Sequence, residues 1–438
     1  MRSSKINQSI VSSVVVGVFS SVWGMSAAAV EFDAGGSLRL RYESRQDFNL
    51  ADSQQSYWLS QVRLNLNTQF NDSHSVFTEV QDARIYGEDE DGVPFINENA
   101  RNQPFADPLD LHQMYYQYQS DDITVKIGRQ KFNLADGRLL ASLEWVNTAR
   151  VHDGIRFTHK SQDRTLDLFA SSIVSIDPDD INDQGVSGNR YNDSDFHGAL
   201  MTDTAMIPDH KLEYWWFYRD NNSGVFDDGI HTLGARVTGS HKALSWDVQG
   251  AWQFGDFYDI AQAQNLDHKA WMMHASASYQ ILGGKLGAGY NFASGDDDPN
   301  DNQHGTFDNL YPLNHAYYGF MDLFSLQNIH NVEFTWTQPK PFGVDTNLRI
   351  AWQMFWLDNT RDAWYNAGLR PNLSRLNNAL STGADTHVGN ELDITLKGTI
   401  QGVSYRAGYS YFFSEDYTQD TGNSEDAQFW FLQLRKAF

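Results

Sequence analysis

Arginine residues alternate with apolar residues in many segments of this sequence. In "SLRLRYES" (37–44) Arg39 and Arg41 lie between leucine and tyrosine, and "VRLNLNTQF" (62–70) places Arg63 in the same way. A guanidinium is planar, stays charged at any relevant pH and pairs bidentately with carboxylates or phosphates. The same alternation marks Arg39, Arg41, Arg63, Arg156, Arg219, Arg236, Arg349, Arg406, Arg435 and Lys126.

The segments that contain these arginine and lysine residues are predicted to be β-strands. An apolar residue at every second position is typical of a strand with one apolar and one polar face. About eighteen such segments follow one another, and their connectors alternate between short turns such as "NDSH" and "LGGK" and long polar loops. The predicted start of the sixth strand is residue 147, and the longest loops are 87–108, 131–144, 174–193, 293–327 and 358–385.

This pattern predicts an all-β protein, a transmembrane antiparallel β-barrel of about 18 strands with short periplasmic turns and long extracellular loops. A sheet that spans lipid has to close, because lipid offers no partner for edge amides. The last segment, "FWFLQLRKAF" (429–438), fits a final strand that pairs with the first. A pair of soluble β-sandwiches or a β-propeller is the alternative, but no propeller repeat is visible.

The N-terminus carries Arg2 and Lys5, an apolar core and small residues near Ala29, which is the pattern of a secretory signal. We therefore expect a signal peptide over residues 1–29 and a single barrel domain over residues 30–438. There is no cysteine, so neither disulfides nor thiolate metal sites are expected. We expect the protein in the outer membrane of a Gram-negative bacterium as a monomer, delivered by periplasmic chaperones and the barrel-assembly machinery.

The formal charge of −24 argues against nucleic acid as a partner. Most of the excess acid lies in the long loops, for example "GEDEDG" (87–92) and "SGDDDPNDN" (294–302). Such clusters have the oxygen-rich character that calcium prefers, although they lack the spacing of a defined calcium loop, so solvated surface charge is the favoured interpretation. No other cofactor is expected.

The polar faces of the strands would line the lumen with arginines and fewer acids. Two interpretations stay open for this lining. The arginines could brace the wall by pairing with lumenal acids, or they could form a pathway that binds an anionic chain weakly at many sites. An enzyme is not expected, because the 14 histidines are scattered and no nucleophile or metal motif surrounds them.

Two stretches resemble the alginate export family of outer-membrane barrels. "IGRQKFNLADGRLLASLEWVNTARVHDGIRF" (127–157) is similar to the family's "GRQ" strand, its tryptophan and its "N-T-A-R…D-G" strand. "YNFASGDDDPNDNQHGTFDNLYPLNHAYYGFMDLF" (290–324) is similar to its "SGD…F…LYP…H…G" loop. The resemblance implies an 18-stranded barrel that conducts an anionic polysaccharide through an arginine-lined pore, and it adds Arg129 and Arg150 to the lining.

The sequence thus favours an outer-membrane channel for alginate or a related uronate. The sequence leaves two alternative functions open: a porin for other small organic acids, and a surface-binding barrel with a plugged lumen. The direction of transport is not specified by the sequence. We expect the loop 293–327 to constrict the pore, because "NLYPLNHAYYGFMDLF" is apolar enough to pack inside it.

Overall fold

The computed structural model describes residues 30–87, 102–178, 180–184, 194–221, 227–260, 262–341, 343 and 345–438. The predicted signal peptide lies outside the described residues. The chain forms a closed antiparallel barrel of 18 strands, as predicted, with about 5% helix.

The barrel strands follow one another in chain order. They are β1 (Glu31–Gln46), β2 (Gln54–Asn71), β3 (His74–Tyr86), β4 (Asp107–Gln119), β5 (Ile123–Gln130), β6 (His152–Lys160), β7 (Arg164–Ser175), β8 (Asp195–Asp203), β9 (His210–Asn221), β10 (Asp228–His241), β11 (Leu244–Asp259), β12 (Gln264–Ile281), β13 (Gly284–Ala293), β14 (Ile329–Pro339), β15 (Thr346–Trp356), β16 (His387–Ile400), β17 (Val403–Ser414) and β18 (Ala427–Ala437).

The loops carry the remaining elements. Two-residue strands at Asp183–Gln184 and Gln303–His304 pair with β7 and β12 respectively. Helix α1 (Leu373–Thr382) and helix α2 (Asp416–Thr421) lie in loops, as does a 3-10 helix at Asn314–Ala316. No helix in the described ranges is both long and apolar enough to cross a membrane.

The seam of the barrel joins β1 to β18. Their register runs from Ser37 opposite Ala437 to Gln46 opposite Gln428. Phe438 continues the pairing, since its N–H donates to the Gly36 carbonyl at 3.0 Å and its carbonyl accepts from Gly36 at 2.8 Å. A Cβ at position 36 would lie 2.6 Å from the Arg63 carbonyl oxygen, so only glycine fits this close approach. The terminal phenylalanine is therefore part of the closure.

The alternation predicted from the sequence separates an outer from an inner face. Leu38 and Leu40 are 39% and 40% exposed on the outside, whereas Arg39 and Arg41 between them are 5% and 3% exposed inside. A closed ladder satisfies the backbone, and the apolar outer band suits a lipid environment. The short connectors gather at one end of the barrel, here called the turn end, and the long connectors at the other, the loop end.

Candidate functional site in the barrel lumen

Two long loops enter the loop-end half of the lumen. The plug loop (residues 294–328) buries Phe307, Leu310, Tyr318 and Met321 completely. It contacts side chains of the inner wall: Arg219 on β9 forms an ion pair with Asp308, and the Met321 N–H donates to Glu391 on β16 at 3.0 Å. The apolar residues of this loop pack inside the barrel, and the constriction of the pore by the loop stays a prediction.

The crossing loop (residues 131–151) spans the lumen from one wall to the other. Near its first half, Arg138 donates to Asn291 on β13 at 3.0 Å and to Tyr318 of the plug loop at 3.0 Å. Near its second half, Asn147 donates through its amide nitrogen to the carbonyls of Ser60, Arg84 and Phe105. The predicted strand start at residue 147 is therefore wrong: residues 147–151 remain in the loop, and β6 begins at His152.

Three of the predicted lining arginines bind the crossing loop. Arg39 donates to the carbonyls of Glu144 and Val146 at 2.7 and 2.9 Å and to the Asn147 side chain at 3.0 Å. Arg41 donates to the Trp145 carbonyl at 2.6 Å and pairs with Glu43 at 2.7 Å. The guanidinium groups of Arg39 and Arg41 therefore bind the backbone of the crossing loop.

Arg63 completes this anchor. It pairs with Glu144 at 2.7 Å and donates to Gln81 at 2.7 Å. Lys131 reaches the same carboxylate at 2.9 Å. Burial acts to raise the pKa of Glu144, but Arg63 and Lys131 outweigh it and lower that pKa to about 2.

An aromatic stack lies beside the anchor. The Arg41 guanidinium lies 4.0 Å from the Trp145 ring centroid, and His315 stacks on Trp145 at 3.7 Å between centroids. Burial lowers the pKa of His315 although Asp322 lies 3.0 Å away. The stack joins the crossing loop to the plug loop.

Three other lining arginines pair with wall carboxylates. Arg156 pairs with Asp167 at 2.7 Å, Arg236 pairs with Asp247 at 2.6 Å and Glu213 at 2.8 Å, and Arg349 pairs with Glu333. Each of these pairs joins neighbouring strands. They match the interpretation in which arginine braces the wall.

Arg129 requires a correction. It lies opposite Met114 on β4 and Asp153 on β6, on the face of β5 that also carries Val125 and Ile127. Its guanidinium makes a bidentate pair with Asp153, at 2.9 and 3.1 Å. Met114 is 49% exposed on this outer face. The prediction that Arg129 lines the lumen is wrong, because strand alternation turns it outward.

Arg150 lies inside the barrel, but it belongs to the crossing loop rather than to a strand. It donates to the Ala141 carbonyl at 3.1 Å and to the Pro312 carbonyl at 3.4 Å, and so links the two loops. Burial lowers its pKa to about 10, which leaves it charged at neutral pH. No carboxylate in the described part of the chain pairs with it.

Three further unpaired lumenal cations that the sequence predicted lie on strands. Arg406 on β17 lies 4.8 Å from the Phe320 ring centroid, and Lys126 on β5 donates to the Tyr115 hydroxyl at 3.3 Å. Arg435 on β18 is exposed, directly opposite Arg39 in the ladder. Within the described ranges, none of the three forms an ion pair with a carboxylate.

Arg138 and Lys131 were missed by the sequence reasoning. Both lie in the crossing loop, where no alternation marks a side chain as lumenal. Arg138 is 5% exposed and pairs with Asp136 at 3.0 Å. The only signal for it was its place within the "GRQ…D-G" stretch.

A metal site receives no support from the described residues. No group of three or more histidine, aspartate or glutamate side chains there is arranged to hold a metal ion. The acidic cluster 296–302, considered for calcium, lies among these described residues, whereas residues 88–92 lie outside them.

Several crystal structures share the fold. OccAB1 of Acinetobacter baumannii is 15% identical, with a TM-score of 0.62 over 93% of this chain and 96% of that chain. OccK11 (OpdR) of Pseudomonas aeruginosa is 16% identical, with a TM-score of 0.56 over 93% and 96%. No curated protein sequence matches the chain.

The closed barrel and its apolar outer band define an outer-membrane β-barrel, and the crystal structures share this fold. The family model described as alginate export matches residues 30–431. The chain therefore belongs to the alginate export family. In such barrels the turn end faces the periplasm and the loop end faces the cell exterior.

Proposed function

We propose that this channel passes an anionic oligosaccharide or polysaccharide, alginate or a related uronate before others, through a lumen lined by Arg39, Arg41, Arg63, Arg150, Arg156, Arg236, Arg349, Arg406, Arg435 and Lys126. One observation carries the proposal. Arg39, Arg150, Arg406, Arg435 and Lys126 have no carboxylate partner among the described residues, although the protein is strongly acidic.

The strand register strengthens this argument. Arg39 and Arg435 lie directly opposite each other on β1 and β18. Like charges at such positions destabilise a sheet. A carboxylate bound at the exposed Arg435 would relieve the repulsion, and a uronate supplies one carboxylate on each sugar.

Transport then requires many weak contacts. A guanidinium replaces the counterion of a carboxylate through a planar pair of hydrogen bonds. Binding has to be favourable enough to admit the solute and weak enough to release it. The arginines paired with wall acids keep the wall rigid, and Lys126, Arg406 and Arg435 offer successive contacts along the periplasmic half.

A plugged, surface-binding barrel is the second candidate. The observation that favours it is the depth at which the plug loop is packed, with Phe307 and Leu310 fully buried. A channel for other small organic acids would use the same cations without a saccharide. Conductance excludes the plugged barrel, and comparison of uronate with simple carboxylates separates the two channels.

The test is the reversal potential of the mature protein, refolded into a planar bilayer under a salt gradient. Arg406→Gln combined with Arg435→Gln should shift it toward cation selectivity. Arg129→Gln is the matched control, because it removes an arginine from the outer face. An equal shift in both proteins, or none in the first, would reject the lumenal arginine pathway.

We also propose that residues 1–29 are a signal peptide, that residues 30–438 form one domain, and that periplasmic chaperones and the barrel-assembly machinery insert the protein as a monomer.

A further inference from the structure

A cavity of about 520 Å³ lies on the inner wall of β9–β13, near the turn end. Its lining includes five hydroxyl side chains, which we call the hydroxyl wall: Thr238, Ser240, Ser245, Ser276 and Ser278. All five occupy positions on the lumenal face of the strands. The cavity lies on the half of the lumen that the plug loop leaves free.

The register arranges these hydroxyls in two rows. Thr238 lies opposite Asp247, and Asp247 lies opposite Ser276. In the second row, Ser240 lies opposite Ser245, which lies opposite Ser278. Adjacent strands are about 4.8 Å apart, so the rows present closely spaced hydroxyls across three strands.

None of the five hydroxyls makes a hydrogen bond to another group in the described part of the chain. Hydroxyls at the loop end behave differently: Ser294 donates to the Gly305 carbonyl at 2.7 Å, and Ser171 donates to the Phe196 carbonyl at 2.9 Å. Each hydroxyl offers one donor and two acceptor positions. The hydroxyl wall therefore retains its whole hydrogen-bonding capacity for water or a ligand.

Charges at the cavity add a preference. Lys285 is exposed and forms no ion pair within the described ranges, whereas Lys211 pairs with Glu213 at 2.9 Å. Asp247 is held by Arg236 at 2.6 Å. Asp209 also lines the cavity. One free ammonium and one further carboxylate beside the five hydroxyls suit a ligand that carries many hydroxyls and few negative charges, rather than a phosphate.

A glycine on the neighbouring strand β13 leaves open space beside the hydroxyl wall. Gly287 on β13 lies opposite Ser278. A Cβ at this glycine would lie 2.5 Å from the Thr335 hydroxyl oxygen, so a larger side chain has no room. The bare backbone leaves the hydroxyls of β12 accessible from the side.

We propose that the hydroxyl wall with Lys285 is a saccharide-binding site, which holds a sugar unit of an acidic oligosaccharide where it arrives from the periplasm. This inference rests on the proposed function and deepens it. The serine and threonine hydroxyls bind the hydroxyls of the sugar, and Lys285 binds its carboxylate as a point charge.

The experiment measures how long a short oligouronate, added at the turn end, blocks single channels in a planar bilayer. Ser245→Ala, Ser276→Ala and Ser278→Ala are combined in one variant. Loss of several hydrogen bonds should shorten the mean block about tenfold. The reversal potential should equal that of the unchanged protein, because no charge is removed.

Thr399→Val with Ser404→Ala is the matched control. These hydroxyls lie at the turn end of β16 and β17 and contact each other at 3.4 Å. The oligouronate should block this control variant for the same mean time as it blocks the unchanged protein. Lys285→Gln provides a second test, since it should shorten the block even if the triple variant refolds poorly.

The outcomes separate the two proposals. A block of unchanged length in the triple variant and in Lys285→Gln would overturn the saccharide site and leave the anion channel standing. Cation selectivity of the unchanged protein, or no block by the oligouronate, would overturn the proposed function and the saccharide site with it.

Discussion

Arg39 and Arg435 face each other across the seam, yet their surroundings differ. Arg39 is 5% exposed and bound to the crossing loop, whereas Arg435 is exposed and unpaired within the described residues. The contrast extends along the lumen. Toward the loop end, arginines and hydroxyls bind protein, and toward the turn end several of the same groups have no protein partner.

This difference separates two uses of one strand pattern. Where a loop enters the barrel, inward polar residues satisfy its backbone, which would otherwise be buried without partners. Where the lumen stays open, inward polar residues meet water and solute. Arginine content alone therefore does not describe the pathway; the partners of each arginine do.

The largest effect should come from removal of the plug. Replacement of residues 307–324 by a short glycine–serine linker should raise single-channel conductance several-fold, because it removes the buried aromatic side chains from the lumen. Deletion of residues 297–302, a mostly exposed part of the same loop, is the control and should leave conductance unchanged. Equal conductance in both variants would show that the plug loop does not limit the path.

The seam pair offers the next test. Arg39→Gln should destabilise the folded barrel by roughly 2–4 kcal/mol, because it removes three hydrogen bonds made by a buried charge. Arg435→Gln should change stability by less than about 0.5 kcal/mol, as exposed positions usually do. Urea unfolding of the refolded proteins measures both values. Similar losses of unfolding free energy in the two variants would contradict the distinction between loop-binding and free arginines.

The Glu144 anchor predicts a pH dependence. Its folded pKa of about 2 lies below the ordinary value of 4.5, so its stabilising contribution is present above pH 4.5 and is lost as the pH falls toward 2. Current noise from the crossing loop should therefore rise only in this acidic range. Glu144→Gln should show that noise at neutral pH. Noise that rises near pH 6 in the unchanged protein would contradict this assignment.

The smallest expected effect is a pH dependence of local stability at Asp296, which is opposite in direction to that of Glu144. Burial, followed by the nearby Asp362, raises the pKa of Asp296 to about 6. The contribution of this raised pKa is present below the ordinary value of 3.8 and is lost as the pH rises through about 6. The hydrogen-exchange protection factors of residues 295–306, which are corrected for the base-catalysed intrinsic rate, should thus be lower at pH 8 than at pH 5. Asp296→Asn should abolish the difference, and persistence of the difference would assign it to another group.

Much of the barrel could be predicted because the alternation of polar and apolar residues within a single strand distinguishes its inner face from its outer face. Alternation identified the inward positions of Arg39, Arg406 and Arg435 without any knowledge of neighbours. The hydroxyl wall obeys the same rule, and Ser245 and Ser276 alternate with apolar residues in the sequence. Their lack of protein partners was not visible there.

The partners of the arginines could not be predicted, because they come from distant segments. Arg39 and the Glu144 carbonyl are 105 residues apart in the chain. Arg129 shows the converse error: a motif suggested the lumen, while its own alternation with Ile127 placed it outside. Arg138 carried no periodic signal, since it lies in a loop.

The proposed function rests on unpaired lumenal cations that select anions despite the acidic character of the protein. Its most direct test is the reversal potential of the unmodified mature protein across a planar bilayer under a potassium chloride gradient. We expect anion selectivity, together with block by a short oligouronate added at the turn end. Cation selectivity without such block would contradict it.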